Sequence, residues 1–239
     1  MRETLEKVQV ESRKVVDGYV KVYFAFISLL LTILLNQKAQ IAAIIIFSAL
    51  SLHAAGKHYL RLLKVPLSFL IAGIAVILVT INGKPVLELW IFQITDKSLN
   101  TAISVLLRSF ASLSVLFYLI ITTSIPELVS ALKKLKLPDF AVEMLLLVYR
   151  AVQTLFDEAG RFDRAASSRL GYASFKSFLK TTSMLAYTLF IKSLSRAEKL
   201  NVAMAARCYA GEFPVLEVEN RGLSFAIAVM LTIIFLGWA

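Results

Sequence analysis

Cysteine, glycine, proline and charge are all scarce in this 239-residue chain. The single cysteine, Cys208, excludes an intrachain disulfide, and no Cys/His cluster has the spacing of a zinc site. Nine glycines and five prolines argue against a loop-rich or all-β chain. Charged residues make up 18%, below the roughly 25% usual in soluble domains, whereas apolar residues reach 58%. Mean hydropathy is +0.74. That much apolar surface needs a membrane to cover it. A secretory leader is not expected either, since about twenty charged and mixed residues precede the first apolar run and no small-residue cleavage site follows it.

What is present is a set of long, continuous apolar runs, which suit spanning helices rather than barrel strands of about 10 alternating residues. They fall at 22–35 (from Tyr19 at its widest), 39–55, 65–81, 99–122 and 223–239, the last with Trp238 at an interface. The first two are short against the ~20 residues that cross a bilayer. Tyr19, Lys21 and Tyr23 can lengthen the first by snorkelling. Arg2, Lys7, Arg13, Lys14 and Lys21 lie at its N-terminal side. Lys57, Arg61 and Lys64 follow the second run, and most remaining cations lie between the fourth and fifth. The other two loops hold only Lys38, and Lys84 with Lys97. Basic loops alternating with basic-poor ones predict five spans, N-terminus inside and C-terminus outside, in the cell membrane. The net charge of +10 therefore reads as orientation and headgroup contact, not as nucleic-acid binding. Three parts follow: a four-span region 1–123, a cytoplasmic region 124–222 and a last span 223–239.

The middle region predicts three helices. The first opens on Ser124-Ile125-Pro126-Glu127, a capping box with proline at an early helical position. Leu128, Leu132 and Leu135 mark one face, Lys133, Lys134 and Lys136 mark others, and Pro138 is expected to end it. The second runs over about 139–169, with polar residues at Glu143, Arg150, Gln153, Asp157, Arg161 and Arg164 alternating at helical period with apolar ones such as Met144, Val148 and Phe156. Gly171 reads as its stop. The third covers about 174–207. Its apolar stretch 181–191, between Lys180 and Lys192, rises only about 16 Å and is too short to span. It reads as buried against the membrane face or neighbouring helices, and Gly211 and Pro214 close the region.

Two of these helices end alike. One finishes Ser167-Ser168-Arg169-Leu170-Gly171-Tyr172 and the other Ala205-Ala206-Arg207-Cys208-Tyr209-Ala210-Gly211. Small residues permit close approach of another backbone. An arginine at a helix C-terminus is favoured by the dipole, and its planar fork grips a carboxylate bidentately. One such end would read as a cation stabilising its own helix; two similar ends read as docking points.

On these residues the chain resembles the T component of energy-coupling factor transporters, in its cobalt-type CbiQ branch. The resemblance covers nearly the whole chain, including Arg108, Thr122-Thr123-Ser124-Ile125-Pro126-Glu127-Leu128 and Ala203-Met204-Ala205-Ala206-Arg207. It implies an all-α integral membrane protein with about five transmembrane helices and long amphipathic cytoplasmic coupling helices between the fourth and fifth spans. It implies two ABC-type ATPase subunits and a substrate-binding membrane subunit as partners, and no cofactor. The matching triplets are Ser168-Arg169-Leu170 and Ala206-Arg207-Cys208, whose arginines would each enter a groove of one ATPase against acidic residues. Cys208 stands where the family usually has glycine, and Cys tolerates positive φ poorly. The implied cargo is cobalt or nickel, with a vitamin such as biotin as the alternative.

Arg108 is the only charge well inside an expected span. Such a charge should face protein or water and have a partner. It reads as a hydrogen-bond hub with Ser104, Ser109 or Ser112, or else as a contact for the substrate-binding subunit. His53 and His58 flank a loop and, at a spacing of five, do not share a helical face, so a metal site is not expected. No G-x-x-x-x-G-K-[ST] loop exists, Gly83-Lys84-Pro85 reads as a turn, and no Ser/His/Asp set or paired carboxylates stand out. ATP hydrolysis is therefore expected in partners. A membrane enzyme acting on lipid would need metal-binding spacing among Asp157, Glu158 and Asp163, which is missing. A stand-alone secondary transporter would need more intramembrane charges than Arg108 and internal repeat symmetry.

Overall fold

The computed structural model describes residues 15–80, 85–89, 92–209 and 220–238. Arg2, Lys7, Arg13, Lys14, Gly83, Lys84, Ala210, Gly211, Pro214 and Ala239 lie outside the described residues. In chain order the elements are α1 (Tyr19–Leu34), α2 (Gln37–Ala55), α3 (Lys57–Thr80), β1 (Pro85–Leu89), β2 (Phe92–Thr95), α4 (Asp96–Thr122), α5 (Ile125–Lys134), α6 (Asp139–Ser168), α7 (Phe175–Ala206) and α8 (Leu223–Trp238). They form two compact units, Met1–Ala131 with Leu216–Ala239, and Leu132–Val215.

Among the described residues three helices are long and apolar enough to cross a membrane, Gln37–Ala55, His58–Leu78 and Ser98–Thr122. Two shorter apolar helices, α1 and α8, have 16 residues each. The fold is helical, but not purely so: β1 and β2 pair antiparallel, Leu87 opposite Ile94 and Leu89 opposite Phe92. The all-α expectation missed this hairpin because its two strands are only 5 and 4 residues long. Such runs sit at the lower limit of length at which alternation marks a strand.

The first unit is centred where α1, α2, α4 and α8 meet. Phe24 and Phe47 stack with ring centres 5.3 Å apart, and Tyr118 meets both edge-on. Ala25, Ala39, Ala43 and Ala226 surround them, fully or almost fully buried. Small side chains there let helix backbones approach, which is how apolar helices associate when lipid is as apolar as their surfaces. A second cluster, Tyr59 and Ile121 with Leu62, Leu63 and Phe117, seats the start of α3 on the end of α4. The basic residues Arg61 and Lys64 therefore lie on the first turns of a helix, not in a loop. The histidine expectation changes likewise: His53 ends α2 and His58 begins α3, with Gly56 (φ 53°) between the two helices.

The N-terminal end of this unit is closed by backbone pairing. The Asp17 amide donates to the Arg221 carbonyl at 3.0 Å, joining the approach to α1 to the approach to α8. Gly222 sits at φ 82°, and a Cβ there would come within 2.6 Å of the Val15 carbonyl oxygen. Both the conformation and the space demand glycine.

The second unit contains two long helices. α6 runs 30 residues and α7 32. Only Val142 of α6 and no residue of α7 is buried. The apolar stretch 181–191 is open within its own unit, with Met184, Tyr187 and Phe190 exposed. α5 ends at Lys134, before the expected Pro138, because the chain leaves the helix at Lys136 (φ 61°). Pro138 instead precedes α6 as its N-cap residue.

Candidate functional site

The two arginine-bearing helix ends share one backbone geometry. Arg169 follows α6 with φ −101° and ψ 17°, and Arg207 follows α7 with φ −99° and ψ 16°. The next residues are left-handed, Leu170 at φ 58° and Cys208 at φ 50°. The Gly171 amide then donates to the Ala166 carbonyl at 2.8 Å and the Leu170 amide to Ser167 at 3.2 Å. At the other end the Tyr209 amide donates to Met204 at 3.1 Å and the Cys208 amide to Ala205 at 3.0 Å. Each is a Schellman closure, which satisfies the last carbonyls of a helix. Ser168, Arg169, Leu170, Ala206, Arg207 and Cys208 are all exposed.

Gly171 was expected as the helix stop, but the left-handed position is Leu170. Gly171 is needed for room: a Cβ would lie 2.9 Å from the Ala166 carbonyl oxygen and 3.0 Å from the Thr181 hydroxyl. The Ser177 and Thr181 hydroxyls donate to the Gly171 carbonyl at 2.9 and 2.8 Å. The Ser174 hydroxyl caps α7 by accepting the Ser177 amide. Tyr172 donates to Asp163 at 2.6 Å, and that bond, which favours the protonated phenol, raises the Tyr172 pKa. The end of α6 is thus tied to the start of α7. Arg169 and Arg207 consequently lie toward opposite ends of α7, a helix about 48 Å long at 1.5 Å per residue. Between them Glu158 of α6 faces Lys192 at 3.3 Å and Arg196 at 3.6 Å on α7.

Arg108 differs from its expectation as a hub. Arg108 is exposed on α4, and its guanidinium bonds none of Ser104, Ser109 or Ser112; Ser112 donates instead to the Arg108 backbone carbonyl. Asn100, Thr101, Ser104, Val105 and Arg108 line an open recess of about 350 Å³ on that helix face.

One ionic cluster was not foreseen. Lys21 does not snorkel; it is wholly buried, and its ammonium donates to Glu127 at 2.6 Å and to the Thr122 carbonyl at 2.6 Å, with Asp17 at 3.6 Å. Glu127 also accepts weakly from the Ser124 amide at 3.5 Å, the backbone half of the expected capping box. Among the described residues no group of three or more His, Cys, Asp or Glu side chains could hold a metal ion.

The chain matches the family described as CbiQ, cobalt transport protein, over residues 7–216. It is 36% identical over 201 residues to a fused cobalt transport protein CbiMQ of Methanocorpusculum labreanum, covering 81% of this chain and 34% of that one. The chain thus spans about a third of that relative's length. It is 30% identical over 164 residues to a cobalt transport protein CbiQ of Salmonella typhimurium, covering 65% of this chain and 72% of the relative. An energy-coupling factor transporter transmembrane protein EcfT of Ruminiclostridium cellulolyticum is 28% identical over 239 residues, 93% of this chain and 89% of its own.

Proposed function

This chain belongs to the CbiQ cobalt transport family, and from that premise we propose that it is the transmembrane coupling subunit of an ATP-driven energy-coupling factor importer for cobalt or nickel. In this reading it has five spans with the N-terminus inside. Two ABC-type ATPase subunits hydrolyse ATP, and a separate membrane subunit binds the cargo. Closure of the ATPases moves the ends that carry Arg169 and Arg207. α6 and α7 pass that motion on, and the cargo-binding subunit reorients in the bilayer.

The observation that carries this reading is the pair of matching helix ends. Two exposed arginines leave two helices on the same backbone geometry. They lie toward opposite ends of α7, whose length of about 48 Å exceeds the ~30 Å width of a small domain, so each suits its own acidic groove rather than a shared one. Each guanidinium offers five donors in a fork that matches a carboxylate. The test is purification of the tagged chain with Arg169→Ala, Arg207→Ala and both, scored by co-purifying ATPase and by cobalt uptake. Each single change is expected to lower ATPase recovery about tenfold or more, as loss of an interfacial arginine anchor does. The double change is expected to abolish uptake. Full uptake by the double variant would falsify the coupling role.

A shared subunit for vitamin uptake is the second reading, favoured by the EcfT relative that matches 93% of this chain. Uptake of labelled cobalt and labelled biotin by cells with and without the chain separates the two.

A further inference from the structure

Among the described residues Arg108 has no counter-charge. Within the candidate span Ser98–Thr122 it lies about 15 Å along the axis from one end and about 21 Å from the other. Its side chain is exposed, and among the described residues no carboxylate, hydroxyl or carbonyl meets its guanidinium. A charge at such depth is stable only against an opposite charge, water or backbone carbonyls. Its surroundings are polar along a stripe: Asn100, Ser104 and Arg108 follow at four-residue spacing and share one face of α4. Gln37 of α2 donates to the Ser104 hydroxyl at 2.8 Å, and that hydroxyl donates to the Asn100 carbonyl at 2.9 Å, so the stripe extends onto a second helix. Ser104 is therefore spoken for, whereas the guanidinium keeps all its donors. Exposed Leu99, Ile103 and Leu106 flank the stripe with apolar surface.

We infer that this face of α4 docks a helix of a partner membrane protein that presents an aspartate or glutamate at the depth of Arg108. The inference names the chemistry of the membrane partner in the coupling reading and rests on that reading for the partner's existence. Charge complementarity selects this occupant. A second copy meeting the first across a two-fold axis at this face would set Arg108 against Arg108. A lipid phosphate sits at the bilayer surface, farther along the axis than an arginine side chain reaches. A carboxylate on a neighbouring helix meets the guanidinium bidentately and removes the cost of both charges together.

A photo-crosslinking residue at Val105 in the full chain, irradiated in native membranes and analysed by mass spectrometry, reads the occupant with Arg108 intact. The expected adduct is a membrane-protein segment with an Asp or Glu inside an apolar run. Arg108→Leu and Arg108→Glu are expected to cut its yield tenfold or more, and Arg108→Lys to keep most of it. Neutralising the partner carboxylate should give the same loss, and exchanging the two charges should restore the adduct. An adduct with lipid alone, with a second copy, or with a helix lacking an acid overturns the inference, as does a yield unchanged in Arg108→Leu. ATPase recovery is scored in the same preparations. If ATPases co-purify but no acidic helix is captured, only this inference falls; if ATPases are missing from wild type as well, the coupling reading falls.

Discussion

Leu170 and Cys208 hold the same left-handed conformation although neither is glycine. That conformation costs an L-residue about 1–2 kcal/mol. The strain is held by the two amide-to-carbonyl bonds of each closure, and its consequence is a fixed exit direction for the preceding arginine. Leu170→Gly and Cys208→Gly should therefore each stabilise the protein by about 0.5–1 kcal/mol, since glycine's extra freedom in the unfolded chain offsets part of the relieved strain. Thermal unfolding in detergent checks this, and a lower midpoint for both variants would show that the strain lies elsewhere. The triplets themselves were legible through resemblance. That their third residues take φ of 58° and 50° was not, because side-chain identity at Leu170 argues against it.

At the scale of elements, one buried lysine ties α1, α4 and α5 together. Lys21 is wholly inaccessible and its partner Glu127 is 12% exposed. The ammonium meets a carboxylate at the start of α5 and the Thr122 carbonyl at the end of α4, so one side chain satisfies two helix termini. Removing one partner of such a pair strands the other charge. Lys21→Met should destabilise by about 3–5 kcal/mol, and adding Glu127→Gln to it should recover much of that loss. A single variant that unfolds within about 0.5 kcal/mol of wild type would show the pair to be dispensable. Helix limits were largely legible at this scale. The second helix of the middle region, expected over about 139–169, spans Asp139–Ser168. The third, expected over about 174–207, spans Phe175–Ala206. Caps and apolar period are local signals, and local signals set helix ends.

For the whole molecule, the testable quantity is orientation. The chain carries its own probe, since Cys208 is the sole cysteine and is exposed. With the N-terminus inside, as proposed, a membrane-impermeant maleimide should label Cys208 in inside-out vesicles stripped of ATPase subunits and not in intact cells. Labelling from the outside of intact cells would reverse the orientation and remove the ATPase contact with it.

The sequence by itself determined where the apolar helices lie, where the long helices α6 and α7 run, and which two arginines follow them. These follow from composition, period and caps, all of which act within a few residues. Tertiary structure alone decided the rest. Lys21 reads as a snorkelling flank until Glu127, 106 positions away, is brought against it. Arg108 reads as a hub until Ser104 and Ser112 are found bonded to backbone carbonyls and to Gln37 instead. Gly171 reads as a conformational stop until the Thr181 hydroxyl is seen to fill the space a side chain would need. Each outcome depends on which group arrives from a distant part of the chain, and the free energy of a buried or intramembrane charge is set by that neighbour rather than by the residue that bears it.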